Sequence, residues 1–237
     1  MFLKNIKLSE LEKGKKYSFL IPIGSTEQHG PFIPLGTDTY LTDEIVKGIE
    51  KSLPDIIVTP TLEFSCSKEH EGFMGTVWLE PETLADVLSN MCQSLSSYAR
   101  DIFLITAHGG NGAAFELFFK GVSGKFPDTN IQQISIESED IDKATKEMIN
   151  GPIDAHAGNT EISMMFARFP HLTICPAGDY PKVAVHKPWE TGRLIDKSCD
   201  GIADTHDKWV IDKDIGEKIF SMIIEKAVND INLALRI

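Results

Sequence analysis

The chain has 237 residues, 42% of them hydrophobic, and a formal net charge of −12 spread along its length. That length suits one domain able to bury most of its apolar surface. The acidic balance argues against a binder of nucleic-acid phosphates or of anionic membrane surfaces, and no apolar run approaches the roughly 18 residues of a membrane span.

The elements follow in chain order. The N-terminus, MFLKNIKLSELEKGKK, has too short an apolar stretch for a signal peptide, so a cytoplasmic protein is expected. Ser18–Ile23 is nearly all apolar, as a parallel strand covered on both faces should be. Leu41, Ile45, Ile49 and Leu53 recur every four residues and predict a helix, and Ile56–Thr59 predicts a strand. Leu84, Val87, Leu88, Met91, Cys92 and Leu95 form the stripe of a core-facing helix. Ile102–Thr106 repeats the buried-strand pattern, and Phe115, Phe118, Phe119 and Val122 predict a third helix. Ile131–Ile136 and Leu172–Cys175 read as further strands, and Ile215, Ile219, Met222, Ile223 and Ala227 as a C-terminal helix. Alternating strands and helices imply a layered α/β fold with a mainly parallel sheet, whose ligands bind beyond the carboxyl ends of the strands. No linker, repeat or charged tract divides the chain, so residues 1–237 are expected to form a single domain. Cys66, Cys92, Cys175 and Cys199 form no C-x-x-C pair and read as ordinary buried thiols of a reducing compartment.

Three polar clusters lie at predicted element ends. In EQHGPFIPLGTD (27–38), Glu27 and His29 are two apart and can point to one side of an extended segment. Asp38 returns after a Gly/Pro-rich loop; it can be a helix N-cap, as can Thr37, or a ligand. TAHGGNG (106–112) places His108 at a strand end, where Gly109 and Gly110 let the backbone approach a ligand. It lacks the Lys-Ser/Thr of a phosphate-binding loop. In DAHAGNTEISMM (154–165), Asn159 can cap a helix whose first turn holds Glu161, a position the helix dipole favours for an acid. His156 has no comparable structural reason. Imidazole and carboxylate groups without thiolate suit Zn²⁺, Mn²⁺ or Fe²⁺. Two ions bridged by a carboxylate would need about this many ligands.

These three segments, in this order, resemble the signature segments of the creatininase family. SKEHEGFMGTVWL (67–79) is similar to a fourth, H-x-x-F-P-G-T, with Met74 in place of proline, and Gly201–Gly216 loosely resembles the family's late G-D-P region. The resemblance implies a three-layer α/β/α fold and two divalent metal ions per subunit. Carried over, Glu27 and His108 would bind one ion and His29 the other, with Asp38 between them. Creatininase proper reads H-Y-E-N where this chain reads HGGN, and its Glu is a ligand. Gly110 stands at that position here, so Glu161 is the expected replacement and creatinine is not the expected substrate. His156 matches the family's proton-transfer residue.

The resemblance thus implies metal-assisted hydrolysis of an amide, cyclic amide or formamide, with Gly109 or Gly110 N–H groups holding the oxyanion. Family members with HGGN include formylaminopyrimidine deformylases, peptidases of cofactor precursor peptides and proposed openers of keto-inositol rings. An inactive metal-holding scaffold and a phosphate-ligand binder are the alternatives from other classes. His70 reads either as a pocket residue or as an exposed loop histidine. Trp78, between Val77 and Leu79, reads as core. The loop VAVHKPWETGR (183–193), with His186, Trp189 and Arg193, reads either as a substrate-recognition lid or as an oligomer contact. A small-molecule substrate and a homo-oligomer, a hexamer by family resemblance, are expected.

Overall fold

Six of the seven residues of YSFLIPI are buried. They form β1 (Tyr17–Ile23) in the computed structural model, which describes residues 1–180, 192–204 and 208–235. With β2 (Ile57–Val58), β3 (Ala99–Thr106) and β4 (Asn130–Ile134) it makes a parallel sheet of order β2-β1-β3-β4. The helices are α1 (Thr37–Ser52), α2 (Pro81–Leu95), α3 (Gly112–Val122), α4 (Glu139–Ile149), α5 (Asn159–Arg168) and α6 (Lys213–Ala234).

Strand side chains alternate between faces, so a central strand feeds two cores. Leu20, Phe103 and Ile105 pack with α1, α4, α5 and α6. Phe19, Ile21, Ile23, Ile102 and Leu104 pack with α2 and α3. The result is the expected three-layer α/β/α sandwich. Among the described residues no helix is long and apolar enough to cross a membrane.

Connection order fixes where a ligand can sit. From β1 the chain moves outward through α1 to β2. It then crosses back over β1 through α2 to β3, and continues through α3 to β4. Right-handed crossovers running in opposite directions put their helices on opposite faces. The loops leaving β1 and β3 therefore diverge, and the crevice between them is the site that open α/β sheets use.

The expected strands Ser18–Ile23, Ile56–Thr59 and Ile102–Thr106 all lie on observed ones, while Ile131–Ile136 stops at Ile134. Leu172–Cys175 is not a strand. Its backbone makes two hydrogen bonds, Leu172 N–H to Phe169 O at 2.9 Å and Ile174 N–H to Phe32 O at 2.8 Å, neither of them to a strand of the sheet, and Ile174 is 63% exposed. A short apolar run carries too little periodicity to separate strand from loop. α4 is an additional helix. Its buried stripe is only Ile141, Thr145 and Ile149, diluted by charge, but Ser138 caps it by accepting from Ile141 N at 3.2 Å. Cys66 and Cys92 are buried as expected; Cys175 and Cys199 are exposed, contrary to expectation.

α5 carries Glu161 in its first turn, and α6 pins the helix. Gly216 sits in the first turn of α6 against α5, where a Cβ would run into the carbonyl of Ser163. Gly216→Ala would gain about 1 kcal/mol of helix propensity. Overpacking costs roughly 1–3 kcal/mol, and a helix carbonyl cannot rotate aside. Gly216→Ala is therefore expected to lower the urea unfolding midpoint; an unchanged or raised midpoint would contradict this packing.

Candidate metal centre

The loop after β1 folds back on itself. Ser25 Oγ–H donates to Glu27 Oε2 at 2.9 Å, Glu27 N–H to Leu35 O at 2.9 Å, and Thr37 Oγ1–H to Pro34 O at 2.7 Å. Gly30 takes a left-handed φ of 62°, which lets the loop turn against Ile202. This closure returns the chain to the crevice at Asp38, in the first turn of α1. The N-cap is Gly36, with no side-chain cap, and the Asp38 carboxylate faces imidazoles instead. Its Oδ1 lies 3.6 Å from His29 Nε2 and its Oδ2 3.2 Å from His108 Nδ1.

His108 extends from the end of β3. Its Nε2 lies 2.5 Å from Cys66 O, and a carbonyl only accepts, so Nε2 bears the proton. In a neutral ring Nδ1 would then turn a lone pair toward Asp38 Oδ2. Two acceptors 3.2 Å apart repel unless a proton or a metal ion lies between them. Asn111 fixes the loop: it accepts from Cys66 N and donates to Thr106 Oγ1, each at 3.1 Å.

The third segment arrives on an isolated bridge between His156 and Ala203. His156 Nε2–H donates to the main-chain O of Gln28 at 2.7 Å, leaving the Nδ1 lone pair toward Glu27 Oε1, 3.7 Å away. Ala157 then adopts φ 54°, unfavourable for a residue with a Cβ, and its N–H is held by Glu161 Oε2 at 2.5 Å. The same Oε2 is 3.9 Å from His29 Nε2. Asn159 is not the cap of α5, which is Gly158. Its amide instead donates to Lys208 O at 3.2 Å and accepts from Val210 N–H at 2.8 Å.

Two further buried residues join the cluster, and of these the sequence did not single out Gln28. His70 is buried, not an exposed loop histidine, with Nε2 3.2 Å from Glu27 Oε1. Gln28, between Glu27 and His29, is also buried and directs two histidines. Its amide protons go to His70 Nδ1 at 2.8 Å and to Gly201 O at 2.9 Å. The 3.0 Å approach of that amide to His156 Nε2 is then not a hydrogen bond, because both nitrogens bear protons. Gly109 is exposed and Gly110 half-buried at the mouth of the HGGN turn. Trp78 is half-buried. Trp189 and His186 lie outside the described residues.

Three sets of ligand atoms, each mutually within 4.8 Å, converge here: Glu27, Asp38 and His108; His29, Asp38 and Glu161; Glu27, His29 and His156. Among the described residues, four buried side-chain atoms lack a hydrogen-bond partner, and three of them are Glu27 Oε1, His29 Nε2 and Asp38 Oδ2. Unpaired buried polar atoms are costly, and clustering of these at one point fits a cation held by nitrogen and oxygen donors. Electrostatics agree. Burial would raise the carboxyl of Glu27, but His108, His70 and His29 hold it well below the usual range. Burial and Glu27 push Asp38 up, and His29 and His108 outweigh them and lower it. Burial disfavours a charged His29, yet Asp38, Glu161 and Glu27 raise it to about 10. His108 is raised well above its ordinary value against burial by Glu27 and Asp38. Glu161 rises to about 7, through burial first, with Asp38 and Asp154 adding and His29 opposing. His156 falls well below the imidazole range, through burial and then the charges of His29 and His70.

A three-layer α/β/α sheet with buried histidines and acids gathered at its switch point defines a metal-site protein with nitrogen and oxygen ligands. The chain belongs to the creatininase family: the family profile described as creatinine amidohydrolase matches residues 4–231. It is similar to the mycofactocin precursor peptide peptidase of Mycobacterium ulcerans (strain Agy99), at 30% identity over 165 residues, 66% of this chain and 60% of that protein. The chain thus spans less than two thirds of that relative's length. Its fold matches the crystal structure of a creatinine amidohydrolase (creatininase), with a TM-score of 0.77 and 19% identity, over 98% of this chain and 97% of that one. A mutant creatininase of Zn–Zn type matches with a TM-score of 0.75 and 18% identity, over 98% and 97% of the two chains.

Since His29 keeps its proton up to about pH 10 and His108 is likewise raised, a metal ion must displace protons to bind. Apparent affinity for Mn²⁺ should rise with pH through the neutral range. Calorimetry in buffers of different ionisation enthalpy should show proton release; a heat independent of the buffer would contradict this.

Proposed function

We propose that this chain is a metal-dependent hydrolase of amide C–N bonds, with one divalent ion held by Glu27, Asp38 and His108 and a second by His29, Asp38 and Glu161. The observation that carries this reading is Asp38, common to both sets and flanked by Glu27 Oε1 and His29 Nε2, which also lack hydrogen-bond partners. Divalent ions so placed supply Lewis acidity toward a carbonyl and lower the pKa of bound water. Ligands without thiolate suit zinc, manganese or iron, and similarity both to a creatininase of Zn–Zn type and to a creatininase described with Mn supports zinc and manganese alike.

The chain's own residues then do the following. Glu27 and Asp38 stay ionised at neutral pH and hold positive charge at the crevice. His156, neutral and with its Nδ1 lone pair toward the centre, accepts a proton as the amide carbon is attacked and returns it to the departing nitrogen. Gln28 keeps that ring in register through its main-chain carbonyl, and its amide fixes the tautomer of His70 beside Glu27. An N–H group of Gly109 or Gly110, in the turn that follows His108, would hold the oxyanion. The similarity to a mycofactocin precursor peptide peptidase supports a peptide or peptide-derived amide as substrate. Position 110 supports a substrate other than creatinine, for a Cβ there would run into Cys66, His108 and Glu69.

Variants at the two histidines separate proton carrier from ligand. His156→Ala should retain both ions while turnover of a peptide-amide substrate falls by roughly 10²–10⁴-fold. His108→Ala should lose an ion outright, because it removes a ligand. Equal loss of metal in the two variants would make His156 a ligand and overturn its assignment as proton carrier.

A further inference from the structure

Ser25 and Ser67 are wholly buried serines on different loops, and their hydroxyl oxygens lie 2.5 Å apart. The first loop leaves β1 and carries Glu27. The second leads into the single 3₁₀ turn Lys68–His70. The two loops are joined by other bonds. Gly24 N–H donates to Leu62 O at 2.8 Å, Thr26 Oγ1–H to Glu63 O at 2.8 Å, and Ser65 Oγ–H to Gly24 O at 2.7 Å. Ser25 and Ser67 face instead toward the metal centre, where Ser25 meets Glu27.

The protons of this pair have one consistent arrangement. A carboxylate only accepts, so Ser25 gives its single proton to Glu27 Oε2, 2.9 Å away. With that proton placed, the contact between the two serines is a hydrogen bond only if Ser67 Oγ–H donates to Ser25 Oγ. A hydroxyl that accepts a hydrogen bond is polarised into a stronger donor. The chain therefore runs one way, from Ser67 through Ser25 to Glu27 Oε2. His108 Nε2 lies 3.3 Å from the same oxygen but cannot replace Ser25, because its proton goes to Cys66 O. The other oxygen, Glu27 Oε1, has no hydrogen-bond partner.

We propose that Ser25 and Ser67 are positioning residues of the metal centre: their hydroxyl chain fixes Glu27 Oε2 and so presents Oε1 to the ion. This rests on the metal-centre reading above. A ligating carboxylate keeps its orientation through hydrogen bonds from outside the ligand set, and loss of such a partner weakens metal binding by about 10–100-fold. Ser67 reaches Glu27 only through Ser25, so the two serines act as a unit. Their effects on metal affinity are then coupled, as for residues in one hydrogen-bond network.

The test is Mn²⁺ titration calorimetry on wild type, Ser25→Ala, Ser67→Ala, the double variant and Ser65→Ala. The last removes a buried hydroxyl that joins the same two loops but does not touch Glu27. Wild type should bind two ions. Ser25→Ala should weaken one of them about tenfold or more, and Ser67→Ala should weaken it by less. The double variant should lose no more than Ser25→Ala alone, and Ser65→Ala should bind like wild type. A merely structural role for these serines would give neither result. Wild-type affinity in Ser25→Ala or in Ser67→Ala overturns the proposal and leaves the metal centre intact. So do losses that multiply in the double variant, or an equal loss in Ser65→Ala. Failure of the wild type itself to bind metal overturns the reading on which the proposal rests.

Discussion

Asp38 is a carboxylate buried between two imidazoles, His29 and His108, at the point where the chain's loops diverge. Taking a carboxylate out of water costs on the order of several kcal/mol, and positive charge nearby must offset that or the group protonates. Protons on His29 and His108 serve in the metal-free protein, and divalent ions are the stronger partners for the same atoms. The cost of this one side chain explains its surroundings. Four imidazoles, His29, His70, His108 and His156, and the acids Glu27 and Glu161 crowd into one crevice with few hydrogen bonds among them. They are arranged for a cation more than for each other.

The fold meets this demand with rigid supports. β1 and β3 are the two central strands, buried on both faces, and each delivers candidate metal-site side chains just past its carboxyl end. The β1 loop is laced to itself so that Asp38 comes back at the start of α1. α5, pinned by α6 through Gly216, presents Glu161 from its first turn, and the left-handed Ala157 beside it keeps His156 and Glu161 on one side. Strain in a residue with a Cβ persists only where the surroundings over-determine it. Here the Ala203 bridge and the Glu161 carboxylate do so.

The residues legible in the sequence are those whose type and place both carry information. Ser18–Ile23 and Ile102–Thr106 read as central strands because nothing but a two-faced core tolerates such runs. Glu27, His29, Asp38, His108, His156 and Glu161 stand out as ligand types at element ends, and the structure brings all six to one place. What the sequence hides is direction. Gln28 lies between two site residues of an extended segment, where alternation predicts that it points away. It does point elsewhere, into a pocket formed by His70, His156 and Gly201, segments far off in sequence. Leu172–Cys175 fails for the opposite reason: its composition suits a strand, but it pairs with no strand of the sheet and bonds to loop and helix-end carbonyls instead.

The central claim is that Asp38 is shared by two metal ions. Anomalous diffraction at the zinc, manganese and iron edges, from crystals of protein purified without chelator, tests it most directly. The account predicts two anomalous peaks per chain, one among Glu27, Asp38 and His108 and one among His29, Asp38 and Glu161, each with an Asp38 carboxylate oxygen at about 2.0–2.2 Å if the metal is zinc. A single peak, or two peaks of which either lies beyond bonding distance of Asp38, would contradict it.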